Sequence, residues 1–201
     1  QLGKKIVCHY HGEDLRSRGV MPVIDKVSDL NLTNEVDLLK KHPNIEYLFL
    51  PYDTSIFNPK DGLNDLLTIS HAPTNRFYKG SEKIISICKK FQEQGKIKFD
   101  LIENQPHSLA LERKSRSDIF IDQIGNKGGW GYGMNSVESL SMGICTLTEM
   151  NDVYSAFVPD HPFVNVNEHT LENEINELIT NRDSILKKNQ EGRQWVQKHH
   201  D

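Results

Sequence analysis

A chain of 201 residues is long enough for one full domain and part of another. With 36% hydrophobic and 26% charged residues it has a soluble globular profile, and a net charge of −4 argues against a nucleic-acid binder, which carries a basic excess. No apolar run approaches the roughly 20 residues that span a bilayer and no secretory leader is recognised, so Cys8, Cys88 and Cys145, each in an apolar run, are expected as reduced core residues of a cytoplasmic protein.

Residues 4–10 read as a buried parallel strand reached almost at once, so the sequence is read as a fragment of a longer protein. His11-Gly12-Glu13-Asp14-Leu15-Arg16 follows at the C-terminal end of that strand, where ligands collect in open α/β sheets. Asp14 and Arg16 are expected to pair across this turn and His11 to face a substrate cleft. His9 and His11 share a strand face, but without a third ligand they do not make a metal site, and no metal is assigned. Residues 24–27 are expected as a second strand, 35–41 as a short helix and 45–50 as a further strand. Pro51 and Pro59 then bracket a segment that reads as a linker.

From Asp65 onward the pattern alternates strand and helix. Strands are expected at 66–71, 97–102, 118–121, 144–147 and 163–166. Helices are expected from Ser81 to a stop at Gly95, over 108–116, after the glycine-rich stretch that follows 118–121, after Thr170 as a cap, and over 182–198. Such alternation predicts a parallel sheet covered on both faces and, with right-handed crossovers, an α/β doubly wound, Rossmann-like domain. Residues 1–58 are assigned to a partial N-terminal α/β domain with its hinge, and 59–201 to a C-terminal domain.

Two loops of that C-terminal domain carry the chemistry. Residues 125–133 hold five glycines, Gly125, Gly128, Gly129, Gly131 and Gly133, between a buried strand and a helix that stops at Gly143. Glycine lets the backbone approach a ligand closely, and a helix N-terminus offers amide protons to an anion. A surface loop that needs glycine only to turn is the plainer alternative. Glu138, one helical turn further on, can accept hydrogen bonds from sugar hydroxyls. His71-Ala72-Pro73-Thr74-Asn75-Arg76-Phe77-Tyr78-Lys79-Gly80 leaves the domain's first strand and lines the same crevice, with Lys79 placed to neutralise a diphosphate leaving group; a solvated surface lysine is its plainer reading. Glu103 and Asn104 are expected near a nucleotide base, Asp122 and Gln123 near the donor, and His107 as the cap of its own helix.

These stretches resemble the donor-binding signature of glycosyltransferases of the GT-B fold, particularly the group-1 (family 4) class, E-G-F-G-L-P-x-L-E-A-M-A-x-G. Gly131-Tyr132-Gly133-Met134 and Glu138-Ser139-Leu140-Ser141-Met142-Gly143 supply the match. The family's first glutamate falls on Trp130, so only Glu138 is present. Lys79-Gly80 matches the end of the family's G-R-x-x-x-x-K-G loop, whose arginine falls on Thr74, with Arg76 near enough to reach the same phosphates. The turn at 11–16 is similar to H-G-S-D-L-R in the N-terminal domain of some members, facing the inter-domain cleft, and 51–59 to their P-V-D-x-x-x-F-x-P hinge.

The resemblance implies the C-terminal half of a GT-B fold. It implies Lys79, Arg76 and Glu138 as catalytic residues, with Gly131, Gly133, Met134, Asn135, Ser139, Thr74, Asn75, Glu103, Asn104 and Asp122 on the donor and His11 and Asp14 on the acceptor side. The reaction implied is sugar transfer from a nucleotide-diphosphate sugar to a carbohydrate or other glycosyl acceptor, with retention. No cofactor is expected besides the donor, and the lack of an Asp-x-Asp motif favours metal independence. No nucleic-acid partner is expected, and any peripheral membrane contact falls to the missing N-terminal part. A sugar-nucleotide epimerase of the same fold, or a non-catalytic sugar-nucleotide-binding module, would fit many of the same residues.

Overall fold

The structure, a computed structural model, describes residues 3–12, 14–127 and 131–201. Glu13, Gly128, Gly129 and Trp130 lie outside the described residues, and with them two glycines of the glycine-rich loop and the position where the resembling signature has its first glutamate. The chain divides into two compact units, Gln1–Leu50 and Pro51–Asp201.

In the first unit Val7–Tyr10 (β1), Leu30–Thr33 (β2) and Ile45–Tyr47 (β3) form a parallel sheet in the order β1-β2-β3. The strand expected at 24–27 is instead part of a single helical turn, Pro22–Asp25 (α1), with proline near its start, where the missing N–H costs nothing. Val23 and Val27 are exposed, so their apolar character had suggested a core position they do not hold. The true second strand went unread because its buried positions are Asn31 and Thr33, while Leu30 and Leu32 are only half-buried. The helix expected over 35–41 is a 3-10 turn at Val36–Lys40.

Arg16 is not paired with Asp14. Its guanidinium grips Asp37 through Nε (2.7 Å) and Nη2 (2.6 Å) and reaches Glu35 at 3.1 Å, while Asp14 stands 4.0 Å from Arg18. The planar fork matches a carboxylate two bonds at a time, and the segment after β2 offers it two carboxylates. Burial pushes the Glu35 carboxyl up, with Arg16 opposing.

In the second unit Thr68–His71 (β4), Lys98–Leu101 (β5), Ile119–Ile121 (β6), Cys145–Thr148 (β7) and Val164–Asn165 (β8) form a parallel sheet in the order β5-β4-β6-β7-β8. The helices are Arg76–Lys79 (α2), Ser81–Glu93 (α3), His107–Lys114 (α4), Met134–Ser141 (α5), Asp152–Phe157 (α6), Leu171–Thr180 (α7) and Arg182–His199 (α8). Side-chain alternation along β6 sends Ile119 and Ile121 to one core with Ile84, Cys88 and Phe91 of α3 and Ile175 of α7. Phe120 points the other way and packs with Leu111 of α4, Met142 and Ile144. Cys88 and Cys145 are buried free thiols, both pushed up to about 12 by burial.

Helix α6 was not read from sequence: it is six residues long, and Tyr154 is its one buried residue. Thr170 does not cap α7 with its side chain; its hydroxyl accepts from the Asn167 amide, and Asn167 Oδ1 collects the amides of His169 and Thr170. Cys8, expected in the core, is only half-buried; the parallel sheet and the helices on both faces follow the α/β, Rossmann-like plan.

Candidate functional site

The strand order fixes where a site can form. The chain steps from β4 to one side, to β5, then crosses to the other, to β6, so the crevice between the C-terminal ends of β4 and β6 is the topological switch point. The loops leaving those two strands are 72–80 and 122–133.

Asn75 starts α2, its Oδ1 accepting from the amides of Phe77 (3.0 Å) and Tyr78 (3.4 Å). Gly80 ends it at φ +64, where an added Cβ would lie 2.3 Å from the Ile124 carbonyl oxygen. Only glycine suits both the left-handed backbone and that approach. Between these stops Lys79 is turned inward. Its Nζ donates to Asp122 Oδ1 (2.5 Å) and to Gln123 Oε1 (3.0 Å). Asp122 Oδ2 accepts from Ser136 Oγ in the first turn of α5 (2.6 Å), and Gln123 Nε2 donates to the Gly131 carbonyl (2.7 Å), which Thr148 Oγ1 also reaches at 3.0 Å. The lysine-bearing loop and the start of the glycine-ended helix are thus two ends of one hydrogen-bond network. Burial pushes the Asp122 carboxyl up, but the Lys79 ammonium, the Ser136 hydroxyl and the more distant Lys114 hold it below the usual carboxylate range. An ammonium has three N–H donors; among the described residues these contacts use two.

Of the three described glycines of the loop, Gly131 and Gly133 differ most plainly in their surroundings. A Cβ at Gly131 would meet the Tyr154 ring at 2.7 Å, whereas a Cβ at Gly133 would meet nothing within 4 Å. Gly133 is the N-cap of α5, and no side chain caps that end. Helices leave their first amide protons unpaired, and the first turn of α5 is tied to the Lys79 network through Ser136. Met134, its first residue, is partly exposed.

A cleft of about 420 Å³ adjoins, lined by Thr74, Arg76, Glu103, Asn104, His107 and Asn135 among others. Arg76 is not free in it: Nε and Nη2 hold Glu103 in a two-pronged pair (2.7 and 2.6 Å) and Nη1 reaches Glu82 at 3.1 Å. Those carboxylates raise the Arg76 pKa, and the hydrogen bonds from Arg76 hold the Glu103 carboxyl below its ordinary value. Asn104 sits in the left-handed region at φ 53, a conformation asparagine tolerates.

Glu138 is 4% exposed. Its Oε2 accepts from Lys114 Nζ at 2.5 Å and its Oε1 lies 2.9 Å from His107 Nε2. His107 therefore does not cap its own helix; Pro106 occupies the N-cap of α4, and the imidazole turns to Glu138. Ser139 is fully buried, its hydroxyl donating to the Ser136 carbonyl and bonded to Thr146 Oγ1, so it braces α5 against β7.

Sequence reasoning missed three residues of this network: Lys114, Ser136 and His71. Lys114 sits in the charged run Glu112-Arg113-Lys114-Ser115-Arg116 of the helix expected over 108–116, where nothing local marks one lysine as buried. His71, fully buried, donates from Nδ1 to the Ile121 carbonyl (2.7 Å) and accepts at Nε2 from Ser81 Oγ (2.8 Å), tying β4 to β6 and α3. Burial takes its pKa down to about 4. His11 and Asp14 belong to the first unit, beyond the C-terminal end of β1; the His11 ring lies 4.6 Å from that of His9. Among the described residues no three His, Cys, Asp or Glu side chains cluster as a metal site, and no helix is long and apolar enough to cross a membrane.

No family model matches the sequence, nor does any curated protein. Solved structures do. HepE of Anabaena, in complex with UDP-glucose, superposes with a TM-score of 0.68 at 11% identity over 98% of this chain and 69% of its own. An alpha-glucosyltransferase in complex with UDP and a 13-mer DNA gives 0.60 at 15% identity over 97% and 68%. Trehalose-6-phosphate synthase, studied for glycosyl transfer with retention, gives 0.61 at 11% identity over 99% and 71%. The fold is that of the GT-B glycosyltransferases.

Proposed function

We propose that the chain is the donor-binding part of a glycosyltransferase of the group-1 (family 4) class, moving a sugar from a nucleotide-diphosphate sugar to a carbohydrate or other glycosyl acceptor. Residues 1–58 are assigned to the tail of the acceptor-side domain and its hinge, and 59–201 to the donor-binding domain. One observation carries this reading: a lysine and a helix N-terminus without a side-chain cap are joined across the switch point of a doubly wound sheet. A point cation and a set of oriented amides at one spot favour a pyrophosphate, because both stabilise negative charge where solvent is partly excluded.

The geometry supports the following roles. Lys79 offers its third N–H to the diphosphate and stabilises the charge that develops there as the glycosidic bond breaks. The first-turn amides of α5, at Met134 and Asn135, take the other phosphate oxygens, and Gly133 keeps their approach clear. Arg76 contributes once it exchanges Glu82 or Glu103 for phosphate. Asp122 and Ser139, both buried, act as supports and do not touch the ligand. Thr74, Glu103 and Asn104 line the cleft that takes the base, and Glu138 takes the ribose. With Lys79 and Arg76 as the neutralising cations, the reaction is assigned no metal. No general base is assigned on this part of the protein, which suits transfer with retention. The acceptor is left open, since one structure of this fold carries DNA beside UDP. Calorimetry of the chain with UDP and GDP tests the reading. Binding of at least one, lost in Lys79→Ala and kept in Lys187→Ala, is the expected result; equal losses in the two variants would refute the site.

A further inference from the structure

The ion pair beneath the cleft is not accounted for by stability. Lys114 is 1% exposed and Glu138 4%. Removing two charges from water costs several kcal/mol per ion, and packed apolar side chains often serve the fold equally well. The Lys114 ammonium is satisfied by Glu138 Oε2 (2.5 Å) and Asn135 Oδ1 (2.7 Å), and sits 4.7 Å from the Phe120 ring centre. It touches nothing in the cleft, yet Asn135 lines the cleft, and so does His107, which holds the other Glu138 oxygen. The two oxygens of Glu138 are held very differently. One is bonded inside the protein by a lysine that cannot leave. The other is bonded by an imidazole whose side chain is 72% exposed, and such a bond is exchanged for another donor at little cost.

We propose that Lys114 and His107 are positioning residues acting through Glu138: Lys114 locks one carboxylate oxygen, and His107 lends its bond to the other until a ligand hydroxyl takes it. The inference rests on the nucleotide-binding reading above and adds what selects ribose. A site that hydrogen-bonds a hydroxyl rejects the analogue lacking it, because its own polar group is left unpaired. Here the returning His107 softens that penalty, so it also weakens the ribose ligand it competes with.

The test compares UDP with 2′,3′-dideoxy-UDP by calorimetry or NMR titration of the whole chain. The wild-type chain is expected to prefer UDP by about tenfold or more. Lys114→Met should bring the two ligands to within about threefold, by weakening UDP and leaving the dideoxy ligand unchanged. His107→Ala should tighten UDP severalfold and weaken the dideoxy ligand, which then leaves the second Glu138 oxygen unpaired. A loss shared equally by both ligands in Lys114→Met would mark a purely structural pair and overturn the proposal, as would a His107→Ala variant that binds UDP more weakly. Should Lys114→Met fail to fold, the exposed His107 variant still decides, and Lys114→Met combined with Glu138→Gln removes both buried charges while keeping the volume. A wild-type chain that binds both ligands equally sinks this inference alone; one that binds neither removes the nucleotide reading with it.

Discussion

Lys79 and Asp122 do two jobs with one contact. The pair holds the two loops of the site together, and under the proposed function the lysine is also the cation that meets the diphosphate. Lys79→Ala is therefore expected to lower both nucleotide affinity, by about tenfold or more, and stability, by about 3 kcal/mol, since it strands a buried carboxylate. Lys79→Met with Asp122→Asn separates the effects: thermal unfolding should recover while UDP affinity stays low. Recovery of affinity as well would take the lysine out of the ligand's path. His71 sets the pH response at the same scale. Its folded pKa of about 4 lies below the ordinary 6.5, so the unfolded chain binds more protons between those values. The stability it contributes is complete above about pH 6.5 and is lost as pH falls towards 4, by about 3 kcal/mol in all. Urea titrations of the wild-type chain and His71→Gln should show a steeper acid loss in the former; parallel curves would contradict this.

At the scale of elements, Gly131 and Gly133 of the loop before α5 make opposite predictions. Gly131→Ala drives a methyl into the Tyr154 ring and should lower the melting temperature by several degrees. Gly133→Ala, extended at φ −130 with nothing near its Cβ, should melt as the wild type does and yet bind UDP more weakly, because the methyl enters the ligand's space. Equal affinity in Gly133→Ala would place the anion elsewhere. The same elements show what the sequence could reveal. Helix α3 was legible because Ile84, Ile85, Cys88 and Phe91 recur at helical spacing and are in fact buried. Lys79-Gly80 was legible because it lies just ahead of a helix start in a loop that resembles the G-R-x-x-x-x-K-G stretch. Strand β2 was not, since it buries Asn31 and Thr33, and α6 was not, since six residues carry too little pattern. Lys114 escaped for a different reason: nothing local distinguishes a lysine beneath a cleft from one in water, and only the fold that brings α4 against α5 decides it.

For the whole molecule, the proposed donor site lies in the second unit, at the switch point between the loops that leave β4 and β6. We expect the chain by itself to bind nucleotide only weakly and to turn over no nucleotide sugar with acceptor, because residues 1–58 are assigned as only the tail of an acceptor-side domain. Release of nucleoside diphosphate by this chain alone, dependent on an acceptor, would contradict that division. The claim on which all else rests is that Lys79 and the start of α5 grip one pyrophosphate, and a crystal structure of the chain soaked with UDP tests it most directly. The expected result is a diphosphate within hydrogen-bonding distance of Lys79 Nζ and of the Met134 or Asn135 amide, with the ribose beside Glu138. A nucleotide bound away from the crevice between β4 and β6, with Lys79 still held only by Asp122 and Gln123, would contradict it.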